Sequence, residues 1–104
     1  MTVPRFDGLI HSPTRLAIVS LLAASEWADF SYIRDTVELS DSALSKQLTT
    51  LEQAGYAEIR KSFIGKRPRT SARLTAQGRA AFEEHVAALQ QIVVRSGATI
   101  LPAG

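Results

Sequence analysis

Apolar positions along the chain fall into three stretches at helical spacing, two that alternate, and a last one at helical spacing. In "HSPTRLAIVSLLAAS" Leu16, Ile18, Val19, Leu21 and Leu22 form a broad stripe, with Ser12 placed as N-cap and Pro13 at the first helical position. "EWADFSYIRDTVELS" offers Asp29 as the next cap, and Phe30, Ile33 and Val37 recur at spacings of three and four, predicting a second, shorter helix. In "LSDSALSKQLTTLEQAGY" Ser40 is the N-cap. Leu39 before it and Leu44 at the fourth helical position make a hydrophobic staple, and Gly55 closes the helix. Only Glu38, Leu39 and Ser40 separate the second and third helices.

After Gly55 the period changes from 3.6 to 2. Ile59, Lys61 and Phe63 alternate with Glu58, Arg60 and Ser62, and Thr70, Ala72 and Leu74 alternate with Arg69, Ser71 and Arg73. This predicts two antiparallel strands with the tip at Gly65 to Pro68, because Pro68 donates no ladder hydrogen bond and Gly65 tolerates positive φ. "TAQGRAAFEEHVAALQQIVVR" restarts a helix with Thr75 as N-cap and Phe82, Val86, Leu89 and Val93 as its stripe.

The predicted fold class is therefore mainly α with a small β-hairpin (α+β), a winged helix-turn-helix with a long C-terminal helix. One domain spans residues 1–104. It has a helical core at 11–55 with its recognition helix at about 41–54, a wing hairpin at 56–74, a C-terminal helix at 75–95 and a loose tail at 96–104. Wheeling the third helix at 100° per residue puts Leu44, Leu48 and Leu51 on the core side. Ser42, Ala43, Ser45, Lys46, Thr49, Thr50 and Gln53 take the other side. Short hydroxyls bond phosphates or base edges, a Thr methyl contacts thymine, and Lys46 reaches a phosphate or a guanine.

Charge sharpens this picture. The chain of 104 residues has a net charge of only +2. Between Ile59 and Phe82 stand Arg60, Lys61, Lys66, Arg67, Arg69, Arg73 and Arg79 with no acid, so that segment carries +7 and the rest of the chain −5. A single-sign block on a short folded segment attracts polyanions; the alternative reading is a solubility patch. Glu26, Asp29, Asp35, Glu38 and Asp41 gather around the second helix with Arg34 opposing them, so that helix has to turn most of its acids away from phosphates. Asp41 suits the dipole at the start of the third helix or, alternatively, accepts from a cytosine.

Composition narrows the function classes. No cysteine is present, so disulfides, thiolate metal sites and cysteine nucleophiles are excluded. His11 and His85 stand in no metal-binding spacing, and no cofactor is expected. There is no GxSxG, phosphate-binding glycine loop or paired His and carboxylate, which argues against an enzyme. The chain has no apolar run of membrane-spanning length and no signal-peptide layout at its start, so a cytoplasmic location is expected, with no membrane partner. Trp27, Phe30 and Tyr32 are either core or the edge of a ligand pocket.

From Leu39 to Phe82 the run "LSDSALSKQLTTLEQAGY…IRKSFIGKRPRTSARLTAQGRAAF" resembles the small bacterial winged-helix DNA-binding proteins related to MarR-like and ArsR-like transcriptional regulators. The pieces that carry the likeness are "LEQAGY", "F-x-G-K-R-P-R-T" and "LT-x-x-G". The resemblance implies a homodimer on double-stranded DNA, with one recognition helix per subunit in successive major grooves of a palindromic operator. It makes Ser42, Ser45, Lys46 and Thr49 groove contacts, and Lys66, Arg67 and Arg69 wing contacts. Thr50 on the exposed helix face and Arg73 in the basic block complete the expected DNA-binding set. Lys46 departs from the histidine frequent in close relatives, and the absence of cysteine excludes thiolate metal sensing. A small-molecule effector is an open possibility.

Two apolar segments exceed what one small domain needs. Phe82, Val86, Leu89, Ile92 and Val93 on the last helix, together with Val3, Phe6, Leu9 and Ile10, either pack across a two-fold axis or fold back on their own domain. The expected dimerisation residues are Phe6, Ile10, Phe82, Val86, Leu89 and Val93. The competing function is a winged-helix protein–protein interaction module without DNA binding, from which the basic wing distinguishes the DNA-binding reading.

Overall fold

The computed structural model describes residues 7–97. Its elements are α1 (Pro13–Ala23), β1 (Ala28–Asp29), α2 (Phe30–Val37), α3 (Asp41–Gln53), β2 (Ala57–Ile64), β3 (Arg67–Leu74) and α4 (Ala76–Arg95). The element absent from the sequence prediction is β1. Its two residues pair antiparallel with β3, Ala28 opposite Ala72 and Asp29 opposite Ser71, so the hairpin becomes a three-stranded sheet of order β1-β3-β2. Two residues display no period, which is why alternation could not reveal this strand.

One core holds the helices on the sheet. Ile18, Val19 and Leu22 of α1, Ile33 of α2, and Leu44, Leu48 and Leu51 of α3 close over Ala57, Ala72 and Leu74. Full burial of each large aliphatic side chain contributes about 1.5–3 kcal/mol. Phe30 and Phe82 pack half-buried against the margin of this cluster.

Two of the four expected caps act through their side chains. Ser40 Oγ accepts from the Ala43 N–H at 3.2 Å and Thr75 Oγ1 accepts from the Gly78 N–H at 3.0 Å. Ser12 caps α1 with its backbone alone, its carbonyl accepting from Leu16 N–H at 2.8 Å. Asp29 occupies the N-cap position of α2 without a side-chain cap, because its carboxylate points to the wing instead.

The motifs "AGY" and "LTxxG" meet in one joint. Gly55, at φ 81°, ends α3 in a Schellman turn: its N–H donates to Glu52 O at 2.9 Å, and Tyr56 N–H donates to Leu51 O at 2.9 Å. Thr75 Oγ1 donates to Gly55 O at 2.6 Å, while Thr75 N–H donates to Tyr56 O at 3.1 Å. Gly78 then passes so close that a Cβ there would lie 2.1 Å from the Tyr56 carbonyl oxygen. The end of α3 and the start of α4 are thus a single hydrogen-bonded unit, which fixes α3 relative to α4.

The wing tip is tighter than expected. Ile64 pairs with Arg67, leaving a two-residue turn of Gly65 and Lys66, and Pro68 lies inside β3 opposite Phe63. Gly65 alone has positive φ, 62°, in the first central position, the pattern of a type II′ hairpin. Pro68 is tolerated because β1 pairs only with Ser71 and Ala72, so the outer edge of β3 is open at Pro68 and no ladder partner loses a donor there.

The inward line of α4 runs through Gly78, His85 and Ala88, not through the expected stripe. Phe82, Val86, Leu89 and Val93 are half-buried to one side of it, and no described residue after Ala88 is buried. Ile10 also departs from expectation as a surface for a second subunit, because it is fully buried in its own chain. The turn that brings it there is organised by Asp7, whose carboxylate accepts from the Leu9 and Ile10 N–H groups at 2.9 and 3.2 Å and from the Tyr56 hydroxyl. Asp7 N–H donates to His85 Nδ1 at 3.2 Å, tying this segment to α4. Val3 and Phe6, and the tail beyond Gly97, lie outside the described residues.

Candidate nucleic-acid interface

The exposed face of α3 carries the side chains expected of it. Ser42, Ser45, Lys46 and Thr49 are exposed, opposite buried Leu44, Leu48 and Leu51. Thr50 does not join them. It is half-buried and its hydroxyl donates to Lys46 O at 3.0 Å, so its proton is held within the helix. Ser42, Ser45 and Thr49 face Lys61 and Thr70 of the hairpin across an open cleft of about 830 Å³, floored by Leu48 and Ile59 and bordered by Asp41 and Glu52. Lys61 was not among the expected contacts, although its alternation with Arg60 already put it on the face shared with Ile59.

Tertiary structure redistributes the basic block. Arg69 is paired with Asp29, its Nε and Nη2 nitrogens 2.7 and 2.6 Å from one carboxylate oxygen. Arg73 donates twice to Glu58, at 3.0 and 2.9 Å. The guanidiniums of Arg60 and Arg73 also sit over the Trp27 ring, 4.1 and 4.6 Å from its centroid. Trp27 therefore supports the outer face of the hairpin, Tyr32 is exposed, and Phe30 lines the cleft. Arg79 donates to Ala23 O at 3.2 Å, tying α4 to the end of α1. Among the described residues, Lys46, Lys61, Lys66 and Arg67 form no ion pair with an acid. The expected basic contacts of the hairpin thus divide into Lys66 and Arg67, available at the tip, and Arg69 and Arg73, engaged nearer the body.

Besides Asp29, two more acids around the second helix are held by a cation. Arg34 bonds Asp35 at 2.9 Å and Asp41 at 2.8 Å. The hydrogen bond donated to Asp35, followed by that to Asp41, holds the guanidinium proton more firmly than usual. Asp41 is therefore drawn toward α2 at the start of α3, where its charge also suits the helix dipole.

The combination of a helix-turn-helix, an exposed hydroxyl-rich third helix and a basic two-stranded wing beside it has a direct counterpart among known domains. Residues 14–93 match the model of the winged helix DNA-binding domain. The chain belongs to that family. Its winged-helix fold is the fold of transcriptional regulators: it superposes on a transcriptional regulator homologue from Pyrococcus horikoshii OT3 with a TM-score of 0.79 and 26% identity, over 85% of this chain and 87% of that one. The YusO protein of Bacillus subtilis superposes at 0.70 with 26% identity, over 81% of this chain but 59% of the longer YusO. A curated relative, MJ0432 of Methanocaldococcus jannaschii, is 32% identical over 81% of this chain and 91% of its own length. A MarR family transcriptional regulator from Silicibacter pomeroyi shares the fold at a TM-score of 0.68 and 20% identity. No helix among the described residues of this winged-helix domain is long and apolar enough to cross a membrane.

Proposed function

We propose that this winged-helix protein is a sequence-specific DNA-binding transcriptional regulator of the MarR-like kind, working in the cytoplasm as a homodimer on a palindromic operator. The observation that carries this reading is the shared cleft: Ser42, Ser45 and Thr49 of α3 and Lys61 of the wing line one open concavity. A helix at its edge in a major groove brings hydroxyls to base edges while the wing cations meet the backbone. Ser42, Ser45, Lys46 and Thr49 are the groove contacts; Lys61, Lys66 and Arg67 are the backbone contacts. Leu89, Ile92 and Val93, past the last buried residue of α4, supply the apolar surface for a second subunit.

The test is binding to duplexes selected from a random library, followed across a salt series. A dimer neutralising about six to ten phosphates loses roughly 10³- to 10⁵-fold in affinity between 50 and 200 mM salt. A two-fold palindrome among the selected sequences is the expected outcome. No selected sequence, or an affinity indifferent to salt, would return the chain to the protein-interaction alternative.

A further inference from the structure

The wing tip carries a feature that phosphate contact does not explain. Phe63 is 71% exposed and Ile64 is 59% exposed, at the last two positions of β2. They are followed at once by Gly65, Lys66 and Arg67. Nothing lies within 4 Å of the position a Cβ on Gly65 would take, so the turn itself is open, while Ile64 and Arg67 behind it border a shallow concavity with Asp29 and Ser31. Cross-strand register puts Phe63 and Pro68 on one face of the ribbon and Ile64 and Arg67 on the other. A ribbon made only to grip a backbone needs cations at its tip and no large apolar groups, since exposing both side chains to water is unfavourable.

We propose that the tip is an apolar wedge for the DNA minor groove, with Phe63 and Ile64 as the wedging side chains and Lys66 and Arg67 holding the flanking phosphates. This rests on the DNA-binding reading above. Charge identifies the occupant: two cations without acidic partners border the apolar pair, which fits a polyanion with an apolar interior surface. Size gives the consequence. A strand layer with side chains on both faces is about 10 Å thick, whereas the minor groove of B-DNA is about 6 Å wide. The tip therefore enters only where the groove opens and a base step partly unstacks, which is easiest at pyrimidine–purine steps and hardest in stiff A-tracts. The wing thereby reads deformability beside the operator without a base-specific hydrogen bond. An arginine inserted alone into the groove has the opposite preference, for the narrow A-tract.

The experiment uses the full chain and a duplex carrying the selected half-sites, with fluorophores at its two ends. The step under the wing is set to TpA, CpA or an A-tract. The wild-type protein is expected to bind the TpA and CpA duplexes roughly tenfold more tightly than the A-tract duplex and to bend them, shortening the end-to-end distance. The F63A/I64A double variant is expected to lose the flank discrimination and the bend while ranking half-site sequences as the wild type does. Phe63→Leu with Ile64→Val is expected to retain both. Equal or tighter binding of the A-tract duplex overturns the wedge in favour of arginine insertion, and so does a double variant that discriminates and bends like wild type. Failure of the wild-type protein to bind any duplex overturns the DNA-binding reading itself, an outcome separate from binding without flank discrimination.

Discussion

Gly78 stands where α4 crosses the Tyr56 carbonyl, and the residue scale is clearest there. Its φ is ordinary, so the need for glycine is one of space: a Cβ would meet the carbonyl oxygen at 2.1 Å. Gly78→Ala must separate α4 from the end of α3, and we expect a loss of about 1–3 kcal/mol, read from urea denaturation. Beside it, Tyr56 donates to Asp7, and this hydrogen bond, with burial second, pushes its phenol up to about 12. Folding then favours the neutral phenol, so its stabilisation is complete below pH 10.0 and is lost as pH rises toward about 12. Tyr56→Phe should flatten that alkaline limb of the stability–pH curve. His85 shifts the other way: burial, then the neighbouring His11, holds its pKa below 6.5, so its neutral form supports the fold above that pH.

At the scale of elements, the wing divides along its length. Arg69 ties the hairpin to Asp29, and Arg73 pairs with Glu58 across the two strands and sits over Trp27, while Lys66 and Arg67 face solvent at the tip. Replacing Lys66 and Arg67 by Ala should lower affinity for all sequences alike and reduce the salt slope by about one for each phosphate contact removed. Replacing Arg73 should lower the thermal midpoint and leave that slope nearly unchanged, a contrast that binding isotherms over a salt series will show. The hairpin, its alternation and the cap at Thr75 were readable from residues two to four positions apart. The division among the arginines was not: Arg69 and Asp29 are 40 positions apart and meet only because β1 pairs with β3. The candidate groove face was legible for the same local reason, since Leu44, Leu48 and Leu51 define its opposite side. The position of Thr50 on the wheel did not disclose that its hydroxyl bonds back to Lys46.

For the whole molecule the open question of assembly falls on the end of α4. Gly78, His85 and Ala88 bury the first part of the helix against the body, whereas Ile92 is 49% and Val94 70% exposed. In the proposed homodimer, the burial of Ile10 and its Asp7 turn within their own chain leaves the last turns of α4, more than residues 7–10, to supply the interface. Ile92→Glu with Val93→Glu should give a monomer by sedimentation and weaken operator binding at least about tenfold, because two half-sites are then no longer engaged as one unit.

The chain by itself determined what depends on near neighbours: the helix–helix–turn–helix–hairpin–helix order, the caps at Ser40 and Thr75, the Gly55 stop and the hydroxyl face of α3. Each follows from a period of 3.6 or 2, or from a bond reaching three or four residues. Tertiary structure alone decided which cations are available, which face of α4 turns inward, and that Gly55 and Gly78 belong to one joint. Those outcomes require atoms far apart in the chain to occupy the same space, and neither composition nor period records that.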